Sequence, residues 1–248
     1  MAKKTLEESL IETIINKKIG IKIKLRKMDY IIRLGADKNY LWRGKSPLCW
    51  AKKEGDSEVI QFLENIGARE EVISDSLREE YSKRFFIAVR EDNFDEMMEC
   101  YNKGADIGWC NIAKQTPLME AVYHSYDALK FLADKVDANI NMKNSFGETA
   151  LMIASDADRY MEAKTLLDNG ANIDEQDFSG RTALILASDA NCFSVAGLLI
   201  SRGADIGIKD VDGKTAWDCA GDRMSQVMQN AINERNLAKL LVCVARER

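Results

Sequence analysis

The side chains able to do chemistry are few, and their spacing does not assemble a reaction centre. A single histidine, His124, occurs among 248 residues, which removes most histidine-based triads and histidine-rich metal sites at once. Six cysteines stand at 49, 100, 110, 192, 219 and 243, with no Cys-x-x-Cys pair and no histidine close by, so neither a zinc site nor a disulfide framework is indicated. Several fall where a helix would take a small apolar residue, and they read as reduced core thiols of a cytoplasmic protein. No glycine-rich phosphate loop is present. Carboxylates are plentiful, but Asp156, Asp189 and Asp222 recur at a fixed interval and do not converge. The expectation is a chain that is not an enzyme, with no catalytic residue, cofactor, metal or small-molecule substrate.

The interval belongs to the elements that carry these residues. The phrase Gly180-Arg181-Thr182-Ala183-Leu184-Ile185-Leu186-Ala187 has counterparts at 147–154, 115–121 and 213–220, and its threonines at 116, 149, 182 and 215 are 33 residues apart. A second phrase keeps the same register: Gly104-Ala105-Asp106, Asp137-Ala138-Asn139, Gly170-Ala171-Asn172 and Gly203-Ala204-Asp205. Within one copy, Leu184, Ile185 and Ala187 mark a short helix ended by Ser188-Asp189-Ala190-Asn191. Val195, Leu198, Leu199 and Ile200 mark a second, and Gly203 is the left-handed residue past its end. Asp210-Val211-Asp212-Gly213 is turn chemistry. Neither helix can bury its apolar stripe alone, so copies must stack.

A 33-residue period carrying a Thr-Pro-Leu-x-x-Ala phrase resembles the ankyrin-repeat family, over roughly residues 35–235. The resemblance implies an all-α helical solenoid, elongated and curved, of six or seven units with short hairpin turns between helix pairs. Residues 1–40 read as a basic N-terminal capping unit, with Leu6, Leu10, Ile14 and Ile15 on one helical stripe. Residues 41–209 read as repeats, and 210–248 as a C-terminal capping repeat whose helix runs two turns long. That helix carries Leu237, Leu240, Leu241 and Val244, and its alternative role is a dimer or partner contact. A four-residue insertion near 70–77 contains Ser76-Leu77-Arg78-Glu79, a capping-box pattern, and predicts a helix that starts early and runs to about Arg90. The family's histidine is replaced by Met119, Met152, Ile185 and Asp218, which shifts these units toward apolar packing. Lys114 replaces the turn glycine of its copy, which puts the shape of that hairpin tip in question.

For function the resemblance implies a scaffold that binds another protein through hairpin tips and the concave ends of the first helices. Carried over by position, the tips are Trp42, Arg43, Ile112, Phe146, Phe178 and Val211. The concave positions are Lys53, Arg90, Tyr123, Asp156, Asp189 and Asp222, followed by Glu54, Glu91, His124, Ala157, Ala190 and Arg223. Exposed apolar tips are costly unless something covers them, although packing against adjacent tips is the alternative. The sign change from Lys53 and Arg90 to the three aspartates suggests a bipolar groove, with Tyr123 and His124 at the crossover.

Charge is divided along the chain. Residues 1–55 carry 14 Lys and Arg against 6 Asp and Glu, and the remainder 21 against 34, so that +8 faces −13. The acidic remainder argues against nucleic acid or a membrane as partner. Lys17, Lys18, Lys22, Lys24, Arg26 and Lys27 leave open an alternative in which the cap alone meets phosphates or anionic lipid. A further alternative is a regulatory ankyrin subunit of an enzyme in another chain. The leading reading is a cytoplasmic, monomeric, protein-binding scaffold.

Overall fold

Threonine explains why three of the repeats start where they do. The hydroxyls of Thr116, Thr149 and Thr182 accept from the backbone N–H groups of Met119, Met152 and Ile185 at 3.3, 3.4 and 3.3 Å. Each satisfies one of the orphan donors of a helix N-terminus, a contribution of about 1 kcal/mol. All three threonines are buried, so an apolar residue of the same size would leave those donors without water as well as without a cap.

The computed structural model describes residues 6–135 and 139–246, with side chains throughout except at Glu7 and from 238 onward. The chain is an all-α helical-repeat solenoid, with 14 helices and no strand among the described residues. It divides into two compact units: residues 1–88 with 95–106, and residues 89–94 with 107–248.

In the first unit α1 (Leu6–Ile15) and α2 (Ile21–Arg33) form a pair, as do α3 (Pro47–Glu54) and α4 (Ser57–Asn65). α1 packs on α3 and α2 on α4, first helix on first and second on second. Leu10, Ile11, Ile14, Met28, Leu48, Trp50, Val59 and Leu63 fill the space between them. The expected stripe of α1 needs two corrections: Leu6 is exposed, and Ile11, not anticipated, is fully buried. The long helix foreseen across the insertion is α5 (Asp75–Arg90). Its cap is Ser74 and not Ser76, because the Ser74 hydroxyl accepts from Leu77 N at 3.3 Å and Ser76 already lies in the first turn. Just before it, Ser46 N donates to the Glu71 carbonyl and Ile73 N to that of Gly44, both at 2.9 Å. This stretch thus runs along the preceding tip where other copies have a hairpin. α6 (Phe94–Asn102) follows. Gly104 (φ +100°) completes the unit; a Cβ there would come within 2.5 Å of the Gly44 backbone.

In the second unit the first helices are α7 (Pro117–His124), α9 (Ala150–Asp156), α11 (Ala183–Asp189) and α13 (Ala216–Cys219). The second helices are α8 (Tyr126–Ala133), α10 (Tyr160–Asp168), α12 (Phe193–Arg202) and α14 (Asp222–Arg246). Each set stacks in order, α7 to α13 and α8 to α14. Met119, Met152 and Ile185, at the family's histidine position, are all buried in this stack. Ser188 is part of α11 and not of a polar break: it is buried and its hydroxyl donates to the Leu184 carbonyl at 2.8 Å, as Ser155 does to Leu151 at 2.7 Å. α14 closes the unit with Met224, Met228 and Ala231 buried. Arg235 Nη1 donates to the carbonyls of Ile200 and Ala204 at 3.2 and 3.3 Å, at the carboxyl end of α12 where a cation is favoured. Leu237 is exposed, and Leu240, Leu241 and Val244 lie outside the described side chains.

Candidate functional site

Four hairpin tips of the second unit are built from one local device. Asn111, Asn144, Asp177 and Asp210 each accept, through Oδ1, a backbone N–H from the residue four positions on (Gln115, Glu148, Arg181 and Lys214) at 2.8–3.0 Å. Their own carbonyls accept from Lys114, Gly147, Gly180 and Gly213 at 2.9–3.0 Å. The tip at Lys114 therefore has the shape of the others, with Lys114 itself in the left-handed region at φ +55°. Successive tips are tied backbone to backbone: Ser145 N to Ala113 O at 3.0 Å, Phe178 N to Phe146 O at 3.2 Å, and Val211 N to Ser179 O at 3.0 Å.

This ribbon holds four apolar side chains out into water. Ile112 is fully exposed, and Phe146, Phe178 and Val211 are 66%, 72% and 73% exposed. Phe178 leans over Gly147, where a Cβ would meet its backbone N at 2.6 Å and its ring at 2.7 Å. Even so, most of the ring stays open, so packing between tips covers only its edge.

Trp42 and Arg43 differ from these four. Both are half-buried: Trp42 packs on Trp50 with ring centroids 5.4 Å apart, and the Trp50 indole N–H donates to the Trp42 carbonyl at 3.1 Å. The Arg43 guanidinium lies 4.8 Å from the Tyr101 ring centroid. They hold the first unit together instead of projecting from it.

Of the concave positions, Tyr123, His124, Asp156 and Asp189 stand at the exposed ends of α7, α9 and α11. Burial, and after it the carboxylates of Asp156, Glu148 and Glu120, push the Tyr123 phenol above its ordinary pKa. His124 Nε2 lies 3.6 Å from a Glu120 carboxylate oxygen. Asp222 leaves the row: α13 ends at Cys219 after a single turn, so Asp222 opens α14 instead of closing a first helix. Lys53 is exposed beside the Trp50 ring at 5.1 Å in the first unit, and Arg90 is exposed at the end of α5. Among the described residues no three His, Cys, Asp or Glu side chains are grouped as a metal site. No described helix is long and apolar enough to cross a membrane.

The family model for ankyrin repeats (3 copies) matches residues 85–177 and 127–210, together just over half of the chain. The chain belongs to the ankyrin-repeat family. Ankyrin repeats are generally protein–protein interaction modules and generally non-enzymatic. No curated protein matches the chain. Within this ankyrin-repeat protein the carboxamides and carboxylates at 111, 144, 177 and 210 are the structural supports of the tips, which the threonine phrase alone did not expose. Their own 33-residue spacing was the available signal.

Proposed function

We propose that this chain is a non-catalytic protein-binding scaffold, acting as a cytoplasmic monomer, whose partner lies along the second unit. The contact comprises the tips Ile112, Phe146, Phe178 and Val211 and the helix ends Tyr123, His124, Asp156 and Asp189. The observation that carries the reading is the row of four exposed apolar side chains held on a hydrogen-bonded ribbon. Rigid backbone keeps the ordering entropy of binding low, and large apolar side chains are the usual anchors of an interface. The aspartates beside them favour a partner with a basic segment. In this reading residues 1–40 and 210–248 serve as caps, and Lys53, Arg90 and Asp222 are outside the contact.

The test is photo-crosslinking in the native cell, with a photoreactive phenylalanine analogue placed at Phe146 or Phe178. Tyr160, exposed on a second helix, is the control position. One discrete adduct from the tips and none from Tyr160 is the expected result. Adducts from Tyr160 alone, or none at the tips while the fold melts normally, would overturn it.

A further inference from the structure

We propose that the outer face of α2 is a contact for the surface of an anionic lipid bilayer. The sequence shows only a basic run; the fold sorts it. Lys24 is buried, its ammonium donating to the Ile14 carbonyl at 2.9 Å and paired with Asp56. Lys17 pairs with Glu54 at 3.0 Å, and Arg33 with Asp29 at 2.8 Å. Lys22, Arg26 and Lys27 are exposed and form no ion pair among the described residues.

Between these cations the same face exposes apolar surface. Ile23 and Tyr30 on the helix and Leu34 at its C-cap are 54%, 64% and 51% exposed. At about 100° per residue they share a sector of about 40°, with Lys22, Arg26 and Arg33 on one flank and Lys27 on the other. An apolar ridge with an aromatic residue and flanking cations is the pattern of a helix that lies in the plane of a membrane interface. The 13 residues of α2 are too few to span a bilayer. The cations would sit among anionic headgroups while Ile23 and Leu34 enter the acyl boundary.

Other occupants fit the face less well. Nucleic acid would meet apolar side chains where its phosphates need charge. A second copy docking through the same face would oppose cation to cation. The adjoining helices bear exposed acids, Glu12 on α1 and Glu58 and Glu64 on α4, which confine the contact to α2 and keep it weak and salt-sensitive.

The experiment is co-sedimentation of the full chain at low salt with phosphatidylcholine vesicles and with vesicles enriched in phosphatidylserine. Two variants are compared with it, Lys22→Glu/Arg26→Glu/Lys27→Glu and Ile23→Ser/Leu34→Ser. All five positions face solvent, and unchanged melting confirms the fold. Binding to the serine-lipid vesicles alone is expected, weakened by about fivefold or more for each cation lost and by roughly tenfold for the apolar pair. No binding to anionic vesicles overturns the proposal. Binding that the apolar pair leaves untouched, accompanied by retention of duplex DNA, overturns it in favour of nucleic acid. Self-association without vesicles that survives about 0.15 M salt, and is abolished by the charge variant, overturns it in favour of a second copy.

Discussion

Lys114 shows how far the repeat dictates a single residue. Its backbone is held at φ +55° because Asn111 and the ribbon fix the tip around it, and a side chain in that region costs about 1–2 kcal/mol. Lys114→Gly is therefore expected to stabilise the protein by about 1 kcal/mol, the strain relieved being larger than the entropy a glycine adds to the unfolded chain. A rise in Tm by calorimetry checks it. Asp177 makes the complementary case. It is buried, accepts from Ser179 N and Arg181 N at 2.9 and 2.8 Å, and pairs with the Arg181 guanidinium at 2.8 Å. Asp177→Ala strands those donors and should cost roughly 2–3 kcal/mol by denaturant titration. Asp177→Asn should recover most of that loss, since Asn111 and Asn144 do the same task two and one repeats earlier. The threonine caps were legible because one residue type stands at 116, 149 and 182, 33 residues apart. The tip supports were less so, because Asn serves two copies and Asp the other two, and their 33-residue spacing stands out only once both are taken as the same acceptor.

At the scale of elements the sequence names helices well and their ends poorly. α5 runs to Arg90 as expected, yet its cap is two residues upstream, because Ser74 and Ser76 offer the same chemistry and only packing chooses between them. α13 is the larger departure. The phrase at 215–220 reads like the others, but Asp218 occupies the third helical position and accepts from Thr215 N and the Thr215 hydroxyl at 2.8 and 2.7 Å. Asp218 thus caps a single turn, and Ala220, extended at ψ 127°, ends it. Those hydrogen bonds, the backbone one first, hold the Asp218 carboxyl below its usual pKa. A depressed carboxylate stabilises the fold above its unfolded pKa, and that contribution disappears as pH falls through the folded value. Amide exchange at 215–220 should therefore speed up, relative to α11, on acidification below the ordinary aspartate range. Asp218→Ala should exchange fast at neutral pH and lose most of that pH dependence; an unchanged profile would refute the capping role.

For the molecule as a whole, the 33-residue register was the most legible feature, since one period in two phrases already required stacked helix pairs. The candidate surface was half legible. Position along the repeat located Phe146, Phe178, Tyr123 and Asp156, whereas the burial of Trp42 and Arg43 depends on Trp50 and Tyr101, which are eight and 58 residues away. The amphipathic face of α2 was hidden because a run of cations shows its sides only once Lys24 is known to be inside. Charge remains the one property set by the entire chain, and it bears on the monomeric state. Residues 1–55 carry +8 and the remainder −13, so two copies attract when the basic segment of one meets the acidic remainder of the other. Screening decides whether that attraction operates: the Debye length is about 30 Å at ~0.01 M salt and about 8 Å at ~0.15 M. Sedimentation velocity should show concentration-dependent association at the lower salt and a single monomeric species at the higher. Lys22→Glu/Arg26→Glu/Lys27→Glu should weaken the low-salt association. Association that persists at the higher salt would require an apolar interface, and the monomeric reading would then fail.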